Sequence, residues 1–477
     1  MISQKLWEEA QLVVIGAGIV GANTYNQALR YGAFETVQLI ERRSAPGLVN
    51  SYVGSNSGSV HPGDTEMMTP EKAKRAKRGA TMTVNTALRY PENPVLMPCS
   101  KMVLGVTEKE REELNHWHRN SRAEYPTLQN IGIDEISRLE RRIVAGRKDR
   151  DVTALHAPFS YAADYGALAN LLVEEGSRFP NAAVSFGTEL IEIKKSGRGY
   201  VIRTSAGEVK AGAVIVATGA RTLGIAQRMG YAKRYGQVNV AGDFIEISGT
   251  TNVKTYLPHK TKLPMARIHA DPYMYKDGIR IGPSALLTPF LERDDISTIS
   301  DYLASMKLDF GIARSFAKMW SDPDTRSFIT ESALYNLPFG MRVFLKEAQL
   351  IYPSLRLKDL GRVSKGGVRP QIIDKENHEF LMGEIKIPGE GEHYDGIEFV
   401  VTPSPGATNG AQIGEEVLLR AAKYCGVNFS HKKLVEELAT KTLVENHESA
   451  VEIWRARNAR RVDEGLWDMP RAEVAIA

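Results

Sequence analysis

The pattern of apolar and polar positions begins with an all-apolar run at residues 12–15 (LVVI), as expected of a short strand buried on both faces. Residues 17–31 then follow a helical period that ends at Gly32. Residues 37–40 (VQLI) predict a second buried strand closing on Glu41, which completes a βαβ start. Thr69, Pro70 and Glu71 open another helix with an N-cap, a first-position proline and a first-turn acid. It continues through KAKRAKRGA, whose basic residues are expected to form a solvated face. Residues 108–140 read as charged helix and 165–179 as a further helix. Residues 184–193 and 200–204 predict paired strands about the turn SGRG at 196–199, and 214–217 another buried strand. From 238 to 287 strand-like alternation takes over, with turns at Ser248-Gly249, Pro258-His259 and Lys276-Asp277-Gly278. Residues 295–320 return to helix. Short strands follow Gly361, and a glycine-rich turn at 404–410 precedes a helix over 411–424. The sheet at 238–287 is a different fabric from the βαβ start, so it predicts a second domain inserted within the first.

Composition adds bounds. A chain of 477 residues is too long for one compact core and calls for two domains. Its 43% hydrophobic and 25% charged content are those of an ordinary globular protein. A net charge of +4 gives no argument for nucleic acid binding. Cys99 and Cys425 cannot build a disulfide framework, which fits a reducing compartment. The first residues, MISQKLWEEAQ, are too polar for a signal peptide, and no stretch has the apolar length of a membrane span. A cytoplasmic protein follows, with any membrane contact peripheral, on the inner face of the cell membrane. His116, His118 and His447 lack metal-like spacing with Cys or acids, so no metal is expected.

The motif that carries most chemistry is GAGIVG. Gly16, Gly18 and Gly21 stand directly after a strand and before a helix, and Glu41 follows about 20 residues later. Gly16 permits the tight turn, Gly18 lets a pyrophosphate approach the backbone, and Gly21 allows helix and strand to pack closely. The helix N-terminus then favours phosphate, and Glu41 would accept hydrogen bonds from ribose hydroxyls. This unit binds FAD or NAD. Two features favour FAD. AVIVATGA at 213–220 is a late buried strand that ends at Thr218-Gly219, where flavoproteins commonly return to the dinucleotide. TPSPGATNGAQIG at 402–414 sets Gly406, Ala407 and Thr408 before a helix, with backbone N–H groups placed to face an anionic edge.

The segments SNSGSVHPG, TPEKAKRAKRGA, KLPMARIHADP, RIGPSALLTPFLER, VRPQIID and VTPSPGAT extend over most of the chain. Through them the sequence resembles the D-amino-acid-oxidase-like FAD superfamily, and more closely the malate:quinone oxidoreductases. It is also similar to L-2-hydroxyglutarate dehydrogenases. The resemblance implies an α/β fold: a Rossmann-like FAD-binding βαβ domain with an inserted, mainly antiparallel sheet and helices. Residues 1–85, 150–235 and 360–477 are assigned to the FAD-binding domain, and 86–149 and 236–359 to the substrate domain. It also implies that (S)-malate is oxidised to oxaloacetate, the C2 hydride going to the flavin while a base removes the hydroxyl proton. A membrane quinone then takes the electrons. The alternatives are an L-2-hydroxyglutarate dehydrogenase, another FAD-dependent hydroxy-acid or amino-acid oxidase, and a catalytically silent FAD-binding protein.

His269 is the first candidate for the base and His61 the second, because imidazole titrates near working pH. Arg369 is the candidate clamp for a substrate carboxylate. If residues 265–269 are a strand, Arg267 and His269 share a face, so Arg267 joins Tyr256 as a substrate-binding candidate, with Arg280 given less weight. Arg42, Ser57, Gly58 and Gly219 complete the expected cofactor site. A quinone lives in the bilayer, so attachment to the membrane, where it exists, must be interfacial. The helix predicted at 442–462 offers Trp454, Arg455, Arg457, Arg460 and Arg461, with Leu466-Trp467 beyond it. The competing reading is that this tail packs on the core.

Overall fold

A computed structural model describes residues 4–258, 267–284, 286–307, 309–335, 337, 339–381, 383–389, 391–403, 406–459 and 463–464. The strands in chain order are β1 (Glu9–Ile15), β2 (Val37–Ile40), β3 (Leu96–Gly105), β4 (Gln129–Gly132), β5 (Thr153–Ala163), β6 (Ala182–Ser185), β7 (Leu190–Ser196), β8 (Gly199–Thr204) and β9 (Gly207–Val216). They continue as β10 (Tyr235–Ile247), β11 (Val253–Tyr256), β12 (His269–Pro272), β13 (Ile279–Gly282), β14 (Leu286–Leu287), β15 (Val363–Asp374), β16 (Glu379–Phe380), β17 (Ile385–Ile387) and β18 (Ile397–Val401).

The described residues form two sheets. The first runs β17-β18-β9-β1-β2-β6, with the hairpin β7–β8 joined to β9. From β18 to β6 its neighbours are parallel. The apolar runs of β1 are buried on both faces. Leu12 and Val14 pack under helix α1 (Ile19–Tyr31) with Tyr25 and Leu39, while Val13 and Ile15 pack on the other side with Val214, Val216 and Phe399. The second sheet runs β16-β15-β10-β13-β12-β11-β3-β5-β4, with β14 on β10. It is antiparallel except where β11 lies parallel to β3. It recruits β5 from within 150–235 and β15 from within 360–477, so the chain crosses between the sheets several times.

Several local expectations change. Residues 108–140 are not one helical tract. Helix α2 (Pro70–Leu88) is followed in the helical order by α3 (Glu108–Ser121), after which β4 intervenes and pairs with β5. Residues 184–193 hold two strands, β6 beside β2 and β7 beside β8. Residues 295–320 break at Lys307, which takes φ +51°. The strand after Gly361 is long, because β15 spans 12 residues. The basic run on α2 is not simply solvated. Arg75 pairs with Glu384 and Glu416, Arg78 with Glu415, and Lys77 with Glu124. Glu415 and Glu416 belong to the helix Gly410–Cys425, so these pairs hold that helix against α2.

Candidate active site

The parallel strands end together, and open parallel sheets bind ligands at the carboxyl ends of their strands. Gly16 follows β1, Glu41 follows β2, Ala217 to Gly219 follow β9, and Thr402 follows β18. All of them line one cavity of about 1400 Å³. That exceeds the roughly 300–1,000 Å³ of pockets for drug-sized ligands, as a dinucleotide with a small substrate requires.

Backbone packing fixes the cavity's first turn. Gly16 has φ +99°, and a β-carbon there would lie 2.5 Å from the Ala217 carbonyl oxygen. A β-carbon on Gly21 would lie 1.8 Å from the Gly16 carbonyl oxygen. Gly18 is the N-cap of α1 and meets only Ser51 Oγ, at 3.4 Å. Ser51 Oγ accepts the Ile19 N–H at 2.9 Å. Glu41 is anchored by two backbone donors, Ala17 N–H and Arg43 N–H, both at 2.7 Å. Arg42, Arg43 and Arg221 converge on Glu292. Ser57, Gly58, Gly219, Gly406, Ala407 and Thr408 also line the cavity. Thr408 Oγ1 accepts the His61 N–H at 3.2 Å and stands 3.1 Å from the Tyr165 hydroxyl. That ties the 55–61 loop to the start of the helix Gly410–Cys425. These residues fit FAD: a glycine turn too tight for side chains, a helix N-terminus and an acid after β2 stand at one end. A second helix N-terminus stands at the other.

His61, Tyr256, His269 and Arg369 line the same cavity. The Tyr256 ring lies between the two imidazoles, 4.8 Å from His269 and 6.3 Å from His61. His61 Nδ1 is 2.9 Å from Glu66 Oε1. His269 Nδ1 is 2.9 Å from Asp271 Oδ2, although the two are not aligned for a good hydrogen bond. Burial pushes His269 below the usual imidazole range, and Asp271 only partly offsets it. That shift favours the neutral imidazole, the form a general base requires. Arg369 sits on β15 with its guanidinium in the cavity wall. Among the described residues no ion pair engages it, and desolvation lowers its proton affinity.

Arg267 is not brought to this site. It precedes β12, lies outside the cavity lining, and pairs with Glu110 at 2.9 Å and the Pro258 carbonyl at 3.3 Å. The postulated strand over 265–269 begins only at His269, and 259–266 fall outside the described residues. Arg280 also lies behind the cavity. It donates to the Val53 carbonyl at 3.0 Å and stacks 5.0 Å from the Phe244 ring.

Four supporting residues escaped the sequence reading: Lys101, Lys254, Glu66 and Asp271. Strand alternation gives a signal for two of them. In VKTY it sets Lys254 on the face of Tyr256, and in HADP it sets Asp271 on the face of His269. The pairing that unites them is long-range and invisible in the local pattern.

Comparison with known proteins places this geometry. The chain matches the family described as FAD dependent oxidoreductase over residues 11–418. It is 32% identical to a probable malate:quinone oxidoreductase of Campylobacter jejuni, over 90% of this chain and 99% of that protein. It is likewise 32% identical to a malate:quinone oxidoreductase of Helicobacter pylori, over 91% and 99%. Among solved structures, a dithionite-reduced L-α-glycerophosphate oxidase from Mycoplasma pneumoniae with FAD bound shares the fold. Its TM-score is 0.64 at 18% identity, over 89% of this chain and 97% of that one.

Proposed function

The chain belongs to the FAD-dependent oxidoreductase family and, within it, to the malate:quinone oxidoreductases, and on that premise we propose that it oxidises (S)-malate to oxaloacetate and delivers the electrons to a quinone. The observation that carries this reading is Arg369, which lines the cavity with no ion-pair partner among the described residues, in the same cavity as two histidines. A half-buried cation facing a cavity without a counter-charge is poorly compensated, and a substrate carboxylate would supply one through paired N–H donors. Bound FAD supplies the two-electron acceptor that a 2-hydroxy acid requires. Gly16 to Val20, Glu41, Gly219 and Gly406 to Thr408 would hold it, with Ser57 and Gly58 beside it. His269 uses Nδ1 toward Asp271, so Nε2 is the atom left to take the hydroxyl proton. Phe244 and Tyr256 flank that imidazole with ring carbons and keep water from it.

The test is anaerobic bleaching of the flavin absorbance by malate, 2-hydroxyglutarate and a panel of amino acids, followed by reoxidation with a soluble quinone or oxygen. The reading expects bleaching by malate and rapid recovery with quinone. Bleaching by 2-hydroxyglutarate alone would move the assignment to that dehydrogenase, and bleaching by none to a silent FAD-binding protein.

A quinone acceptor also puts the protein at a membrane surface. Among the described residues no helix is long and apolar enough to cross a bilayer, so the contact proposed is peripheral. The described part of the C-terminal helix, His447–Arg457, packs on the core. Trp454 is 0% exposed and packs with Met97, Cys99 and Val451, and Arg457 pairs with Glu92. Arg460, Arg461, Leu466 and Trp467 lie outside the described residues. The helix Phe310–Ser321 offers a better surface. It buries Ile312, Ser315 and Met319, yet leaves Phe310 84% and Trp320 51% exposed on its other side. Arg314 and Lys318 accompany them, and the helix contains no acid. Apolar residues on the outer face flanked by cations suit anionic headgroups.

A further inference from the structure

Behind the cavity wall the second sheet carries a rung of charge. Lys254 on β11 is the register partner of Lys101 on β3. Asp271 on β12 lies 3.3 Å from Lys254 Nζ and is the register partner of Arg280 on β13. One rung nearer the ligand, Tyr256 is paired with His269. Tyr256 and His269 line the cavity, whereas Lys254, Lys101 and Asp271 do not. Both lysines are 1% exposed.

Each lysine backs one cavity histidine through a carboxylate. Lys101 Nζ is 2.7 Å from Asp64 and 2.8 Å from Glu66, whose Oε1 meets His61 Nδ1. Lys254 Nζ is 3.3 Å from Asp271, whose other oxygen meets His269 Nδ1. Lys254 also donates to the Ser57 carbonyl at 2.8 Å and to Ser59 Oγ at 2.7 Å, and Ser59 Oγ meets the Tyr256 hydroxyl. The same ammonium thus ties down the loop that carries His61 and the carboxylate that faces His269. Burying a lysine at this depth is expensive unless its partners repay it, and hydrophobic residues of similar volume often stabilise as well. Fold stability alone gives no reason for a lysine here.

We propose that Lys254 is a positioning residue for His269, acting through Asp271. Its Nζ stands 3.3 Å from Asp271 and holds that carboxylate against the Nδ1 edge of His269, which leaves Nε2 toward the substrate. Lys101, Glu66 and His61 repeat the arrangement one strand away. The proposal rests on His269 being the base, as argued above.

The groups facing His269 fix the signs. They are Asp271 on its own strand, Lys254 and Tyr256 on β11, His61 on the loop, Arg280 on β13 and, beyond Lys254, Cys99 on β3. Lys254 opposes protonation of the imidazole and Asp271 favours it. Lys254→Met should therefore move the acid limb of the kcat/KM–pH profile to higher pH, and Asp271→Asn should move it to lower pH, each by about one unit. Both should lower kcat more than they change KM. A purely structural lysine would lower the rate at every pH and leave the limb in place. The experiment measures both profiles on the FAD-loaded enzyme and follows the His269 titration by NMR of 15N-histidine protein, assigned with His269→Ala. Opposite displacements in the two variants support the proposal, and an unmoved limb in either folded variant overturns it. If Lys254→Met does not fold, the near-isosteric Asp271→Asn decides alone. Full activity in His269→Ala would instead remove the base assignment, a separate failure read from a separate protein.

Discussion

The carbonyl oxygen of Gly16 lies 1.8 Å from the point where a β-carbon on Gly21 would stand. The third glycine of the motif is therefore required by the protein's own backbone, whatever is bound. Gly18 differs, because its nearest obstacle is Ser51 Oγ at 3.4 Å, ordinary contact. Gly21→Ala is expected to destabilise the fold itself, seen as a lowered melting temperature without added FAD. Gly18→Val should fold near-normally and lose flavin occupancy, since its side chain would stand where the pyrophosphate approaches. Normal flavin content in Gly18→Val would mean that the phosphates do not pass this turn.

His269→Ala is expected to lower turnover by about 100-fold or more, the range for loss of a general base, with a smaller effect on substrate affinity. His61→Ala should cost less, because His269 and not His61 takes the hydroxyl proton in the proposed reaction. Stopped-flow flavin reduction under anaerobic conditions measures the step directly. Near-normal reduction in His269→Ala with loss in His61→Ala would reverse the order.

Arg369 and Arg267 make a matched pair, both half-buried and only one in the cavity. Arg369→Ala should raise the malate KM steeply, by about 2–4 kcal/mol in the free energy of binding, as when one partner of a buried charge pair is truncated. Arg267→Ala removes the ion pair with Glu110 and should lower the melting temperature while leaving KM near the parent value. Equal effects of the two on KM would count against Arg369 as the carboxylate clamp.

The sequence made part of this site legible because its chemistry is local. The turn at Gly16 to Gly21, the acid at Glu41 and the turn at Thr218-Gly219 each follow directly from a strand, so spacing alone reveals them. The residues of the second sheet are legible only as types. His269 and Arg369 stand 100 residues apart in the chain and meet through β10 to β15, whose order no local pattern encodes. Arg267 misled because a two-residue period was extended into a segment that is not strand at that point. Trp454 follows the other of the two readings open to the tail: its ring is buried against β3, as a helix that packs on the core requires.

Glu398 gives a pH prediction away from the site. It is fully buried on β18, and burial pushes its carboxyl up to about 7, although Arg420 at 3.1 Å pulls the other way. A carboxyl whose folded value lies above its unfolded value contributes stability below the unfolded value. That contribution is lost as pH rises toward 7. Glu398→Gln cannot ionise, so its melting temperature should exceed the parent's near pH 8 and match it near pH 4. Melting curves of both proteins across that range test the sign. A variant less stable at pH 8 than at pH 4, relative to the parent, would show that the ion pair with Arg420 outweighs the burial of the charge.

The exposed face of Phe310–Ser321 yields the last prediction. An apolar outer face on a helix whose inner face is already buried loses nothing by leaving water, so a bilayer surface is its natural complement. Phe310→Glu with Trp320→Glu removes both large apolar groups and adds two negative charges beside Arg314 and Lys318. Neither side chain reaches the cavity, so turnover with malate and a water-soluble quinone should be unchanged. Flotation with anionic vesicles should fall by about tenfold or more, since each buried aromatic contributes on the order of 1–3 kcal/mol. Turnover with a long-chain quinone in those vesicles should fall alongside. Arg314→Gln with Lys318→Gln should weaken flotation on anionic vesicles and leave the weaker binding to neutral ones as it is, because only the headgroup term is lost. Equal flotation of parent and Phe310→Glu/Trp320→Glu proteins would mean that this helix faces something other than lipid.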